Sequence, residues 1–421
     1  MALSDNKTPY RFQSRTNMRP LIINDPVYGF TTVPRGMLCD IIAHPWFQRL
    51  SRIRQLGMSA MVYPGAQHTR AAHSIGAFHL MQEALRGLME RGEFLFASEV
   101  EAAEAAILLH DVGHGPFSHV LESTLLDGAS HEDISLKMME VMNREMQGAL
   151  TLSIQIFKDE HPKLFLHELI SSQLDVDRLD YLNRDSFFCG VREGAVGADR
   201  LIAMMRIVDG HLAVDAKGLY TVENYLTSRR VMYWQVYLHK TVVSAEEVLR
   251  QALRRAKYLA ESGASLFAPP ALHYFLHAPT ATRHEDEWLE AYTTLEDNDI
   301  LSALKVWQQH PDRTLARLSQ MFIRRQLFKV EVYPAEIPQE RMAQIREALK
   351  QAWQLTEEEC AYFIHTVSVG TSLYDSTHGG ISIVQRDGTC APLPTLSTIV
   401  HDEGATGEHK AYLLYPRGII D

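Results

Sequence analysis

Cysteine is scarce in this chain of 421 residues: Cys39, Cys189, Cys360 and Cys390 are the only four, and no two stand at C-x-x-C spacing. A thiolate zinc cluster of the usual spacing and a disulfide framework are thereby excluded, and all four are read as reduced and structural. Long apolar runs are missing as well. The longest, such as Ala102–Leu109, fall far short of the ~20 residues a membrane span needs, and the opening MALSDNKTPYRF has no apolar signal core, so a cytoplasmic protein is expected. Positive charge is in deficit, with 41 Lys and Arg against 52 Asp and Glu, a net charge of −11. Such a field repels a polyanion and makes nucleic acid an unlikely partner, while a small anion needs only a few buried arginines. Internal repeats and low-complexity tracts are also lacking.

What remains is an ordinary globular composition, 46% hydrophobic and 22% charged, in a chain long enough for one large core and a smaller companion. Apolar residues recur at helical spacing through Gly76–Met89, Ala102–Leu109, Glu168–Leu182 and Val222–Tyr258, and strand signals are sparse over that stretch. Past Val330 the texture changes. A helix over Gln339–Trp353 is followed by β-branched and aromatic runs at Tyr362–Val369, Ile381–Val384 and Ala411–Tyr415, with turn signals at Asp127–Gly128 and Gly379–Gly380. The expected fold is mainly α, a helical domain over 1–330 with a smaller α+β domain over 331–421.

Histidine is unusually frequent: 20 in all, with His68, His73, His79, His110, His114, His119 and His131 crowded into one stretch. Glu99–Asp111 reads as a buried helix that delivers His110 and Asp111 near its end, where both side chains can enter a cleft. His114 follows four residues later, but Gly113 and Gly115 suggest that the helix soon stops. Two imidazoles with two carboxylates suit a divalent ion, Mn²⁺, Fe²⁺, Co²⁺, Ni²⁺, Zn²⁺ or Mg²⁺, better than calcium. A His-Asp pair alone also fits a satisfied core histidine beside a helix-end carboxylate, and a second pair, His401–Asp402, stands in a loop-like context.

Four ordered segments carry more weight than the pair: FQRLSRIRQLG (47–57), YPGAQHTRAAHSIG (63–76), HDVGHGPFSH (110–119) and LDVDRLDYLNRDS (174–186). Together they resemble the HD superfamily of phosphohydrolases, and within it the deoxynucleoside triphosphate triphosphohydrolases. The resemblance covers about the first 330 residues. It implies that His73, His110, Asp111 and Asp177 hold the metal, that Asp175 is a supporting carboxylate, and that His114, His119, His131 and Glu122 orient water and deliver a proton, His119 being the first choice for the acid. It also implies attack at the α-phosphorus of a dNTP, releasing deoxynucleoside and intact triphosphate. The alternative substrates are a nucleoside monophosphate, a cyclic nucleotide or another phosphoester, and a non-enzymatic nucleotide-binding regulator is a third reading.

For the substrate, Arg70 stands where the resemblance places an α-phosphate contact, and Arg178 replaces a lysine common in related enzymes, which changes its hydrogen-bond geometry. Arg229, Tyr233, Tyr237 and Lys240 are spaced by four, four and three residues and would share one face of a continuous helix. A structural aromatic face with snorkelling cations has the same spacing. The resemblance marks Arg229 for phosphate and Tyr237 for the sugar, with Tyr233 standing where some members have histidine. Gln55, Leu56, Tyr181 and Asp185 would surround the deoxyribose, although Leu56 is equally suited to a core. Relatives activated by guanine nucleotides carry an aspartate, an arginine and a further basic residue where this chain has Ala43, Ser51 and Leu21, while Arg325 and Lys329 match. Weak or missing activation is therefore expected, together with a homo-oligomeric state, dimer or tetramer.

Overall fold

The structure is a computed structural model that describes residues 19–126, 129–277, 286–374, 379–401 and 407–420. The turn at Asp127–Gly128 and the pair His401–Asp402, through Asp402, lie outside the described residues. Three long helices frame the centre. Arg70–Glu90 packs against both Ala97–Leu109 and Val176–Cys189. Alanines at 102, 103, 105 and 106 are all buried and let the middle helix approach its neighbours closely. Each framing helix that carries site residues starts under side-chain control: Thr69 Oγ1 accepts the Ala72 N–H, and Asp175 Oδ1 accepts the Arg178 N–H at 2.6 Å. Gly190 closes the third helix with φ 70°.

The chain is mainly helical with a smaller C-terminal region of small sheets, as expected. The strands number nine among the described residues. β1 (Leu21–Asp25) and β2 (Gly29–Val33) form a hairpin whose turn is held by Asp25 Oδ1, which accepts the N–H groups of Val27 and Tyr28. β3 (Met205–Val208) and β4 (His211–Asp215) form another hairpin. β5 (Lys329–Tyr333), β6 (His365–Thr371) and β9 (Glu408–Tyr415) make an antiparallel sheet in the order β5-β9-β6, while β7 (Ser382–Val384) and β8 (Cys390–Pro392) extend the second hairpin to β3-β4-β7-β8. The β4–β7 pairing, Val214 against Ile383, ties the C-terminal region to the helical body, and one apolar core runs through both.

Two expected helices are interrupted. Glu168–Leu182 breaks between Glu168 and Val176, where Asp175 caps the next helix instead of continuing the previous one. Val222–Tyr258 divides into Leu219–Met232, a π-helical turn at Tyr233–Tyr237 closed by Leu238 N–H to Tyr233 O, and Lys240–Glu261, whose first turn is capped by His239 Nδ1. The interruption moves Lys240 off the face shared by Tyr233 and Tyr237. It lines instead a separate cleft of about 230 Å³ with Arg325, Lys329 and Arg417.

Candidate metal centre and substrate cavity

His73, on the first framing helix, and His110, at the end of the second, bring their Nε2 atoms to 3.3 Å. Asp177, in the first turn of the third, places Oδ1 at 3.0 Å from His73 Nε2 and 3.4 Å from His110 Nε2. Asp111 completes the group, with Oδ1 3.5 Å from His110 and Oδ2 3.7 Å from His73. The four side chains expected as ligands are thus neighbours, His73, His110 and Asp177 forming one compact group and Asp111 a second with His114 and His131.

The outer nitrogens decide what the inner ones can do. His110 Nδ1 lies 2.6 Å from the Ile107 carbonyl, which can only accept, so the proton of a neutral ring sits on Nδ1 and Nε2 presents its lone pair. His73 Nδ1 faces Asp180 Oδ2 at 2.7 Å, and Asp180 is clamped through both oxygens by Arg184, which also reaches Asp25 Oδ2 in the β1–β2 turn. Two ring nitrogens 3.3 Å apart beside the Asp177 carboxylate form a donor set that fits a divalent metal. The same field is visible in proton affinities. Burial alone would lower the His73 pKa, but hydrogen bonds to Asp177 and Asp180 outweigh it and raise it to about 10. Asp177 is held low by the two imidazoles despite burial.

Two glycines make this packing possible. A Cβ on Gly76 would lie 2.0 Å from both Arg184 Nη2 and Asp180 Oδ1, and one on Gly113 would lie 2.2 Å from the Ser135 nitrogen. Through that second approach Ser135 Oγ donates to His110 O and accepts from Gly113 N–H. Tyr292 Oη donates to Gly113 O, and Arg49 Nη1 to His114 O. The turn after His110 is therefore fixed from three directions.

A second cluster adjoins the first. His114 Nε2 is 3.2 Å from Asp111 Oδ1 and its ring stacks on His131 at 3.8 Å. Glu122 lies between His119 (3.7 Å) and His131 (3.4 Å). Burial, then the nearby Arg70 guanidinium, push His114 down to about 3, which makes it a neutral group, whereas the Glu122 carboxylate raises His119. The short helix Ser118–Glu122 that carries His119 is entered through Phe117 in the left-handed region, φ 49°, an unfavourable backbone for a bulky residue.

Both clusters open on a cavity of about 510 Å³, a volume suited to a nucleotide-sized ligand. Of the residues expected to touch substrate, Gln55, Leu56, Arg70, Tyr181, Asp185, Tyr233 and Tyr237 line it. Arg178 and Arg229 do not: Arg178 Nε donates to Ser172 O and Asp175 Oδ2, and Arg229 donates to Gln173 Oε1 and Leu373 O. Asp185 is held on both oxygens, by His68 Nε2 at 2.7 Å and by Tyr237 Oη at 2.8 Å. Tyr233, Tyr237 and Tyr181 form an edge-to-face series along this wall. Arg70 Nη1 donates to Asp111 Oδ2 at 2.8 Å.

Sequence reading overlooked Asp180, Arg54, Phe117 and Glu246. Asp180 was within reach, because LDVDRLD places it three residues after Asp177 and so on the same helix face. Arg54 adjoins Gln55 in a segment already singled out. Glu246 lies far along the chain on Lys240–Glu261 and carries no local signal.

The HD domain family matches residues 70–185, and the HD associated region matches residues 196–266. An uncharacterized protein of Bacillus subtilis, YwfO, is 32% identical over 418 residues, covering 95% of this chain and 93% of that protein. The deoxynucleoside triphosphate triphosphohydrolase SAMHD1 homolog of Dictyostelium discoideum is 32% identical over 271 residues, 60% of this chain and 52% of that protein, so the chain spans about half the length of that relative. A crystal structure of a phosphohydrolase from Bacteroides thetaiotaomicron superposes with a TM-score of 0.91 at 51% identity, covering 95% of this chain and 100% of that one. Among the described residues no helix is long and apolar enough to cross a membrane. With both HD segments matched and a relative aligned along nearly its whole length, the chain belongs to the HD-domain phosphohydrolases.

Proposed function

We propose that this protein hydrolyses deoxynucleoside triphosphates to deoxynucleoside and inorganic triphosphate, acting on free nucleotides in the cytoplasm. The observation that carries the reading is one cavity that combines a tautomer-fixed cage for a divalent cation with Arg70 and a wall of Tyr181, Tyr237 and Asp185 suited to a sugar. Relatives that bear the name deoxynucleoside triphosphate triphosphohydrolase support the substrate class.

His73, His110, Asp111 and Asp177 would hold the cation, which when bound lowers the pKa of water towards ~7 and withdraws charge from a phosphoryl oxygen. Arg70, fixed by Asp111, neutralises the α-phosphoryl group as charge builds there. Water adds to phosphorus, the bond from phosphorus to O5′ breaks, and O5′ takes a proton. His119 is placed to give that proton, since Glu122 favours its charged form, while His114 stays neutral and can accept a hydrogen bond from water. Asp185, already oriented by His68 and Tyr237, has lone pairs left for the 3′-hydroxyl. Leu56 offers no partner to a 2′-hydroxyl placed against it, and an unpaired polar group in a closed site is disfavoured by about 1–3 kcal/mol. Arg178 and Arg229 would reach phosphate only by leaving Asp175 and Gln173.

The deciding experiment incubates the metal-loaded protein with the four dNTPs and the four NTPs and resolves products by anion-exchange chromatography. Equal amounts of deoxynucleoside and triphosphate are expected; monophosphate and pyrophosphate, or cleavage confined to other phosphoesters, overturn the reading. The absence of the expected partners at Ala43, Ser51 and Leu21 supports weak or missing guanine-nucleotide activation, and a dGTP-induced fall in the half-saturating substrate concentration would refute it. A homo-oligomer, dimer before tetramer, is proposed with these properties, and a monomer by light scattering at working concentration counts against it.

A further inference from the structure

β9 runs beside the helix that carries the aromatic wall, and the two meet in register. Glu408, Lys410 and Tyr412 stand at alternate positions of the strand and so share one face of it. Their partners, Arg230, Trp234 and Leu238, are four residues apart across the end of Leu219–Met232 and the π-helical turn. Arg230 Nη2 donates to Glu408 Oε2 at 3.1 Å, Lys410 Nζ lies 3.9 Å from the centre of the Trp234 ring, and Tyr412 Oη donates to Leu238 O at 3.2 Å. Two strand residues advance about 6.6 Å and four helical residues about 6 Å, so the three contacts can form together. Lys410 Nζ also pairs with Glu408 Oε1 at 3.0 Å, which links the first contact to the second.

A π-helical turn is a rare backbone form, found mostly as a single turn at functional sites. This one places Tyr233 and Tyr237 on the cavity, and Tyr237 Oη donates to Asp185. Tyr63 Oη donates to Gln235 O at 2.6 Å, so hydroxyls from two distant segments take up carbonyls at this turn. The strand behind the contacts is firmly held, because Tyr412 pairs with Val332 of β5 and with Val367 of β6. We infer that β9, through Glu408, Lys410 and Tyr412, positions the sugar wall: the strand fixes the π-helical turn, the turn fixes Tyr237, and Tyr237 orients Asp185. All three act as positioning residues, since none of them lines the cavity. The inference rests on the dNTP reading and adds to it that the choice between deoxyribose and ribose depends on the C-terminal sheet.

The test uses Tyr412→Phe, which removes one contact, Lys410→Met, which removes a second while keeping an unbranched stem, and the double variant. Leu238 N–H donates to Tyr233 O across the turn, and hydrogen exchange of the peptide spanning it, read by mass spectrometry, should quicken by about 10-fold or more in the double variant. The ratio of kcat/KM for a dNTP to that for the matching NTP should fall about 3- to 30-fold, the range of one or two lost polar contacts, chiefly through KM for the dNTP. Lys410→Arg, which keeps a cation over the indole, should hold that ratio within about 2-fold of its original value. Metal content should be unchanged, because the ligands stand on other helices, and its retention shows that the double variant is folded. Unchanged exchange at the turn, or an equal loss on dNTP and NTP that leaves the ratio within about 2-fold, overturns the inference and leaves the dNTP reading standing. Loss of metal overturns it too, since β9 would then support the fold at large. If the unsubstituted protein releases no triphosphate from any dNTP, the reading fails and the inference with it.

Discussion

His73 and His119 are imidazoles of two adjoining clusters, yet the first is wholly buried and the second exposes 75% of its side chain. The difference extends to everything behind them. His73 and His110 each spend Nδ1 on a fixed acceptor, Asp180 is locked by Arg184, and Arg184 is anchored in the β1–β2 turn, so orientation is passed inward through three layers of charge. His119 and His131 are related to Glu122 only at 3.7 and 3.4 Å; His119 and Glu122 sit on a helix of one turn entered through a left-handed Phe117, while His131 opens the helix His131–Glu145. A ligand set has to be rigid before its ion arrives, since ordering it afterwards would weaken binding. A proton donor has to follow a leaving oxygen, and a short exposed helix leaves it that freedom.

If that contrast is real, substitutions in the two halves separate metal loss from rate loss. Asp177→Ala should abolish metal retention and lower turnover by more than about 10⁴-fold, because activation of water and neutralisation of phosphate vanish together; retained metal by elemental analysis would break the comparison at its root. His119→Asn should lower kcat by about 10²–10⁴-fold with metal content intact. Loss of metal in that variant would mean that the two halves are one. Asp180→Asn should weaken metal affinity by about 10–100-fold, the usual effect of removing the partner that orients a ligating histidine, measured by chelator competition. Gly76→Ala should act through the same layer, because its Cβ meets Arg184 and Asp180 at 2.0 Å.

The rigid half was the more legible in sequence. His73, His110, Asp111 and Asp177 lie in motifs whose order alone implies convergence, and the structure brings them together. The aromatic wall was legible in part: Tyr233 and Tyr237 do face the cavity, but the π-turn that ends their helix depends on a Tyr237–Asp185 bond and a cap at His239, so Lys240 could not be placed by periodicity. Arg229 shows the same limit, since its acceptor Gln173 is brought up by tertiary packing, whereas the Arg178–Asp175 pair is a local contact at the helix start. The strands of the first 330 residues are four or five residues long, too short to declare a period, and β4 finds its partner β7 about 170 residues later.

The smallest effect on turnover, and the most direct probe of the frame, comes from Glu104. It is buried on Ala97–Leu109, the helix that ends at His110, and its hydrogen-bond partner Gln82 lies on the helix that carries His73. Burial pushes its pKa from 4.5 up to about 7, with the Gln82 contact opposing and Glu101 adding to the rise. A carboxyl whose folded pKa exceeds its unfolded value contributes stability in full below about 4.5 and loses it as pH rises through about 7. The difference corresponds to at most about 3 kcal/mol. Denaturation from pH 5 to 8 should therefore show a downward slope in stability from this group, and Glu104→Gln, neutral throughout, should flatten it while leaving metal binding and turnover near their original values. A slope that survives Glu104→Gln would place the titration elsewhere, and a loss of metal would show that the spacing between the two ligand-bearing helices is softer than the cage they support.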